Sequence, residues 1–194
     1  MSTTVENAHT DIIRKSLKNF RMIRSGVDIS GIREEISSQP MAWLIDTSRQ
    51  KNIRVQRNTE SIFLRSAHRE KDSNISVNEI HESKYTNLSK YFPITTKWLE
   101  DVACQMERKV ARALIAKLMP KAQVFRHIDD GSYYKFRDRH HLVLWSSDGS
   151  RMSSGDESIL MHEGELWWFD NKQPHEAFND SDHDRIHLIF DLEN

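Results

Sequence analysis

Two imidazoles and a carboxylate stand out toward the end of this 194-residue chain: His127 and Asp129 in the run His127-Ile128-Asp129, and His175 directly after Pro174. Two neutral imidazoles with one carboxylate form the donor set of non-haem Fe(II) centres that keep coordination positions open. Arg185 follows ten residues after His175. A guanidinium grips a carboxylate through two parallel hydrogen bonds, which a lysine cannot do. The combination predicts O2 activation and oxidation of an unactivated C–H bond, with Arg185 holding a dicarboxylate co-substrate. The same donors suit hydrolytic zinc. Against zinc, the chain has no His-Glu-x-x-His segment and its only cysteine, Cys104, is remote.

Spacing alone is weak evidence. Chance supplies about one His-x-Asp in a chain of this composition, and His9-Thr10-Asp11 is such a copy. It falls at the expected start of a helix, where Asp11 suits the positive end of the helix dipole, and reads as structural. The 127–129 copy differs in its surroundings. On a strand, residues i and i+2 share a face, so His127 and Asp129 project together and Ile128 faces away. Arg139, His141, Val143 and Trp145 are likewise in phase with one another. So are Arg185, His187 and Ile189, opposite Ile186, Leu188 and Phe190. A face with cations and imidazoles, backed by an aliphatic one, suits a strand that lines a polar cavity and packs outward on helices. The plainer role for Arg185 is a surface ion pair with Asp182 or Asp184. His140 is out of phase with the cavity, and His162 and His183 read as solvent-facing.

The elements that must position these groups divide near Pro120. Thr10 as an N-cap, followed by Ile13, Leu17 and Phe20, predicts a first helix. Leu99, Val102, Met106, Val110, Ala113 and Leu114 predict a long helix from about Thr96 to Met119, with Cys104 a small buried residue inside it. Ile53, Val55, Ile62 and Leu64 alternate with polar residues and predict one or two strands. Residues 66–92 are polar and aperiodic, as in a long connection or a binding loop. After Pro120, short alternating runs recur at 124–129, 140–145, 166–169, 175–178 and 185–190, the pattern of a sandwich or barrel. The expected organisation is one domain over 1–194, with a helical and mixed part to residue 120 and a metal-binding core over 121–194.

Composition excludes several classes. The chain is 37% hydrophobic and 29% charged, as in an ordinary globular protein, and no apolar run is long enough for a membrane span. The N-terminus lacks a signal pattern, and a lone cysteine fits a reducing cytoplasm. Residues 1–120 carry 20 Lys and Arg against 14 Asp and Glu, whereas 121–194 carry 8 against 15. Without a dense basic cluster, this asymmetry reads as two complementary halves rather than as a nucleic-acid surface.

At His127-x-Asp129, Arg139-x-His141, Gly164-Glu165-Leu166-Trp167-Trp168-Phe169-Asp170-Asn171, His175 and Arg185 to Asp191, the chain resembles the aspartyl/asparaginyl β-hydroxylase family of 2-oxoglutarate-dependent oxygenases, which includes bacterial proline hydroxylases. The resemblance spans about 123–192. It implies a double-stranded β-helix, or jelly-roll, buttressed by N-terminal helices. It implies Fe(II) on His127, Asp129 and His175, with O2 and 2-oxoglutarate as co-substrates. Arg185 would hold the distal carboxylate, and Arg139 and His141 would lie nearby. The implied reaction is hydroxylation of an amino acid or of a residue in a peptide. Asp129 fills the place a halide would need, which argues against halogenation. The chain ends soon after the last motif, so the further C-terminal domain of the proline hydroxylases is not expected, and their substrate contacts do not carry over. Tyr133, Tyr134, Arg151 and the 66–92 segment are candidate substrate contacts. Two rivals are a jelly-roll binding module without turnover and a cupin-like metalloenzyme that needs no co-substrate.

Overall fold

The computed structural model describes residues 17–67 and 79–194. Its strands are β1 (Phe20–Arg24), β2 (Thr59–Ala67), β3 (Ser83–Tyr85), β4 (Val110–Leu118), β5 (Ala122–His127), β6 (Arg137–Trp145), β7 (Ser150–Ser154), β8 (Glu157–Ile159), β9 (Leu166–Phe169), β10 (His175–Asn179) and β11 (Arg185–Glu193). The helices are α1 (Ser30–Ser38), α2 (Ser48–Asn52), α3 (Pro93–Gln105) and α4 (Ser132–Lys135). Two antiparallel sheets result: one of seven strands in the order β1-β9-β6-β11-β4-β2-β3, the other of four in the order β5-β10-β7-β8. The part before residue 120 therefore supplies four of the seven strands in the larger sheet. This is a double-stranded β-helix.

The cavity wall follows from strand alternation. Ile186, Leu188 and Phe190 of β11 and Leu142 and Leu144 of β6 join Ile32 and Ile36 of α1 and Leu99 and Val102 of α3 in one buried cluster. Each large apolar side chain fully buried there contributes about 1.5–3 kcal/mol. Between the sheets, Val143, Trp167, Phe169 and Phe20 meet Met152 and Ile159 of the smaller sheet. Glu35 of α1 accepts hydrogen bonds from the Ile94 and Thr95 amides at 2.5 and 2.9 Å. It thus caps the start of α3, which has no side-chain cap of its own.

Several expectations change. Phe20 opens a strand and pairs with Phe169 rather than closing a helix; residues 10–16 of that expected helix, and the His9-Thr10-Asp11 copy, lie outside the described residues. The helix expected over 96–119 ends at Gln105. Its end is a Schellman-type closure, with Arg108 N–H bonded to Ala103 O and Glu107 N–H to Cys104 O, and Glu107 takes φ 55°. Glycine normally marks that position, so a glutamate hides the boundary. The apolar run Val110 to Leu118 satisfies helical spacing but is a strand with both neighbours paired, β2 on one side and β11 on the other. Runs buried on both faces lose the period-2 signature. Cys104 is exposed on α3, not buried.

Ile62 and Leu64 lie on β2, but Ile53 and Val55 fall in the C-cap of α2 and a short 3-10 turn. Trp145 leaves the face of Arg139, His141 and Val143 and packs with the helix-side core. The cause is an irregular register, in which Ile186 pairs with Trp145 and His187 with Val143; one extra residue reverses the facing of those beyond it. Of the 66–92 segment, 68–78 lie outside the described residues, and 83–85 form β3 at the sheet edge. Among the described residues no helix is long and apolar enough to cross a membrane.

Candidate metal centre and co-substrate pocket

His127 ends β5 and His175 begins β10, and the two are register partners in the smaller sheet. An irregularity sits beside them: His175 pairs with His127 but Ala177 with Val124, so β5 carries an extra residue there. Directly opposed residues of an antiparallel pair point the same way, and the ring centroids are 4.3 Å apart. Asp129 follows just past the strand, where its N–H donates to Asn171 O at 3.1 Å. The chain then turns at Gly131, whose φ of 119° favours glycine. One donor atom from each of His127, Asp129 and His175 lies within 4.8 Å of the others.

The hydrogen bonds define which atoms are free. His127 Nδ1 lies 2.7 Å from Phe125 O, and His175 Nδ1 lies 2.9 Å from Gln173 O. A carbonyl only accepts, so Nδ1 is the donor in both rings and Nε2 is the nitrogen left to face a metal. Arg139 Nη1 and Asn171 Nδ2 both donate to Asp129 Oδ2, at 2.5 and 2.9 Å. Oδ1 lies 3.8 Å from His127 Nε2, and Oδ2 lies 3.9 Å from His175 Nε2. Burial alone would raise the Asp129 carboxyl; Arg139, the two imidazoles and the Asn171 amide outweigh it and hold it below the ordinary value. Burial pushes His175 down to about 4, with Asp129 opposing, so its Nε2 is unprotonated at neutral pH. Three neutral or anionic donors converging from one side fit an Fe(II) ion and leave its other positions open.

Arg139 has its whole fork engaged. Besides Asp129, it donates through Nε and Nη2 to both carboxylate oxygens of Asp191, at 2.8 and 3.0 Å. Tyr133 Oη adds a bond to Asp191 at 3.1 Å. Asn171 and Asp191 occur within the recognised motif runs, but a linear pattern cannot show that they converge on Arg139 and Asp129. Asn171→Ala leaves the Asp129 main-chain contact and removes one donor from its carboxylate. It is expected to weaken metal binding about tenfold, the lower end for partners that orient ligands. Metal titration of the folded variant checks this; unchanged affinity would remove Asn171 from the ligand's support.

Arg185 is different. It is only 7% exposed, and its one polar contact among the described residues is a 3.9 Å approach of Nη2 to Met152 Sδ. Desolvation lowers its guanidinium to about 10. The surface ion pair expected as the plainer alternative is absent among the described residues, and Lys121 takes Asp182 instead at 2.9 Å. Beside it, His141 and His187 face each other through their Nδ1 atoms at 3.1 Å. Burial and then Arg185 hold His187 well below its ordinary value, and burial, Arg185 and Arg139 do the same to His141. Both rings are neutral at pH 7, one donating to the other. His140 stands outside this cavity, stacked on Phe190, and His162 and His183 are exposed.

The cavity has two connected parts. The inner one is lined by Arg185, His141, Met152, Phe169 and the His127 and His175 imidazoles. The outer one is a cleft of about 630 Å³ that opens past Asp129, Tyr134 and Arg65. Arg49, His127 and Arg139 line both. Of the candidate substrate contacts, Tyr134 lines the cleft, Tyr133 is buried behind it and Arg151 is exposed elsewhere. No sequence signal points to Arg49, which lies far from the motifs in a stretch without periodicity.

The jelly-roll and its His-Asp-His cluster define a protein of the Fe(II)- and 2-oxoglutarate-dependent oxygenase class. A model of the family described as aspartyl/asparaginyl beta-hydroxylase matches residues 32–194, and the chain belongs to that family. It is therefore an oxygenase of hydroxylase type, working with Fe(II), 2-oxoglutarate and O2. No curated protein matches it. Similar solved structures share the fold at low identity. AviO1 from Streptomyces viridochromogenes Tue57 has a TM-score of 0.55 at 11% identity, covering 96% of this chain and 94% of its own. An oxidoreductase of the 2OG-Fe(II) oxygenase family from Burkholderia pseudomallei gives 0.54 at 12%, covering 87% and 92%. The viral collagen prolyl hydroxylase of Paramecium bursaria Chlorella virus-1, a 2OG complex, gives 0.53 at 12%, covering 93% and 98%.

Proposed function

We propose that His127, Asp129 and His175 hold Fe(II), that Arg185 holds the distal carboxylate of 2-oxoglutarate, and that the chain hydroxylates an unactivated C–H bond of an amino acid or of a residue in a peptide or protein. The observation that carries this reading is Arg185: a buried guanidinium without an anion among the described residues, in the same cavity as the His127 and His175 imidazoles that converge with Asp129. Burying an unpaired charge is costly, and a bound dicarboxylate would relieve that cost. When bound, the metal supplies O2 activation coupled to oxidation of 2-oxoglutarate, which yields succinate and CO2.

The protein's own residues do the positioning. The Nδ1 bonds to Phe125 and Gln173 hold both imidazoles with Nε2 inward. Arg139 and Asn171 hold Asp129 Oδ2 and so aim Oδ1. Arg139 lines the same cavity, and in this reading it steadies the ligand that flanks the co-substrate. His141, whose Nδ1 is engaged by His187, presents its other edge toward the co-substrate space. Phe169 and Met152 give that space apolar walls that exclude water. We place the enzyme in the cytoplasm, on the support of its single unpaired cysteine.

The test is direct. Fe(II) and 2-oxoglutarate added without oxygen should produce a weak visible charge-transfer band, and admission of air should produce succinate. Mass spectrometry across amino acids and peptides should then find a product heavier by one oxygen atom. Absence of both band and succinate would favour a binding module; turnover without 2-oxoglutarate would favour a co-substrate-independent metalloenzyme.

A further inference from the structure

The cavity holds a second guanidinium that the metal and co-substrate do not use. Arg49, on α2, lines both the inner part and the outer cleft. Among the described residues its one hydrogen bond is a 3.1 Å donation from Nη1 to the Ser61 hydroxyl, and it makes no ion pair. Apart from Arg185, the cavity cations Lys117, Arg65 and Arg139 have polar partners. Lys117 pairs with Glu60 at 2.5 Å. Arg65 donates to the Ala111 and Ser83 carbonyls at 3.0 and 2.8 Å, and Arg139 is engaged by Asp129 and Asp191. Burial, and then repulsion from Arg139, lower the Arg49 guanidinium to about 10, with Asp129 and Tyr134 opposing. Around it the cleft is walled by Val55, Phe63, Leu114 and Ile189.

We propose that Arg49 grips a carboxylate of the primary substrate, and that this substrate is a small carboxylic acid with an apolar body. The inference rests on the preceding functional reading and gives its substrate a chemical class. Arg185 lines only the inner part, whereas Arg49 also lines the outer cleft, which shares His127 and Arg139 with the inner part. A carboxylate at Arg49 gains the two-bond geometry that a hydroxyl partner cannot supply. It also offsets the repulsion between Arg49 and Arg139. The apolar walls then carry the rest of the molecule and present one of its C–H bonds to the centre.

Arginine-selective labelling with phenylglyoxal, read at each residue by peptide mass spectrometry, tests this on the intact chain under anaerobic Fe(II). Both Arg49 and Arg185 line the cavity, so both should label, Arg185 the more slowly because it is buried. Adding 2-oxoglutarate should protect Arg185; if it does not, the co-substrate assignment fails independently of Arg49. With 2-oxoglutarate present, isovalerate and L-leucine should each slow Arg49 labelling about tenfold at ten times their dissociation constants, while L-leucinamide should not. Protection by L-leucine but not isovalerate would support the proposal in the narrower form of a free amino acid held by carboxylate and amine together. Equal protection by the amide, or no protection by either acid at concentrations approaching their solubility, would overturn it.

Discussion

Arg185→Met should act in opposite directions on stability and on co-substrate binding. In the protein free of metal and 2-oxoglutarate, the guanidinium is buried beside two neutral imidazoles, and its one polar contact among the described residues is to a thioether sulfur. Replacing unpaired or poorly compensated buried charge with an apolar side chain of similar volume is often stabilising by about 1–4 kcal/mol. For a chain of this size that raises the melting midpoint by several degrees. In the same variant the affinity for 2-oxoglutarate should fall about 10²- to 4 × 10³-fold, because the distal carboxylate would be left buried without its partner, at about 3–5 kcal/mol. Calorimetric melting and anaerobic titration read the two effects separately. A lowered melting midpoint would mean that the guanidinium has partners of its own; an unchanged affinity would remove it from the co-substrate site.

His175→Ala should abolish turnover while leaving a folded protein. It removes one of three donors, and the remaining pair, His127 and Asp129, cannot complete a facial set. Changes in residues that merely orient ligands cost 10- to 100-fold, so loss of the ligand itself should exceed about a hundredfold in metal affinity. Because His175 Nδ1 contacts only the Gln173 carbonyl and the ring edge meets Phe169, the fold should survive its removal. Retained melting with lost metal binding and lost succinate formation is the expected pattern. Unimpaired metal binding would show that the three side chains do not share an ion.

The residues these two experiments probe are legible in the amino-acid order alone. His127, His175 and Arg185 sit on strands, and Asp129 follows two residues beyond the end of β5. At such positions, a period of two reports which way a side chain points. The N-terminal elements are less legible for an equally physical reason. β4 is covered on both faces and rich in Ala and Leu, so its local preferences match a helix, and Glu107 occupies a turn conformation that usually announces itself with glycine. Sheet pairing with β2 and β11 overrides those preferences. Trp145 is turned to the other face by a register irregularity, which arises between strands and leaves no trace in either one alone.

By itself, then, the amino-acid order determined the candidate ligand set, the chemistry those donors suit, an all-β sandwich or barrel after Pro120 and the split between a cavity face and a helix-packing face. These follow from residue types and short-range periodicity, which a linear chain displays directly. Only the tertiary structure decided that Arg139 is held between Asp129 and Asp191, that Arg185 has no anion among the described residues, and that Arg49 enters the same cavity from α2. Whether a charge is paired depends on groups brought together from distant parts of the chain, and burial then makes the difference between a paired and an unpaired guanidinium worth about 3–5 kcal/mol.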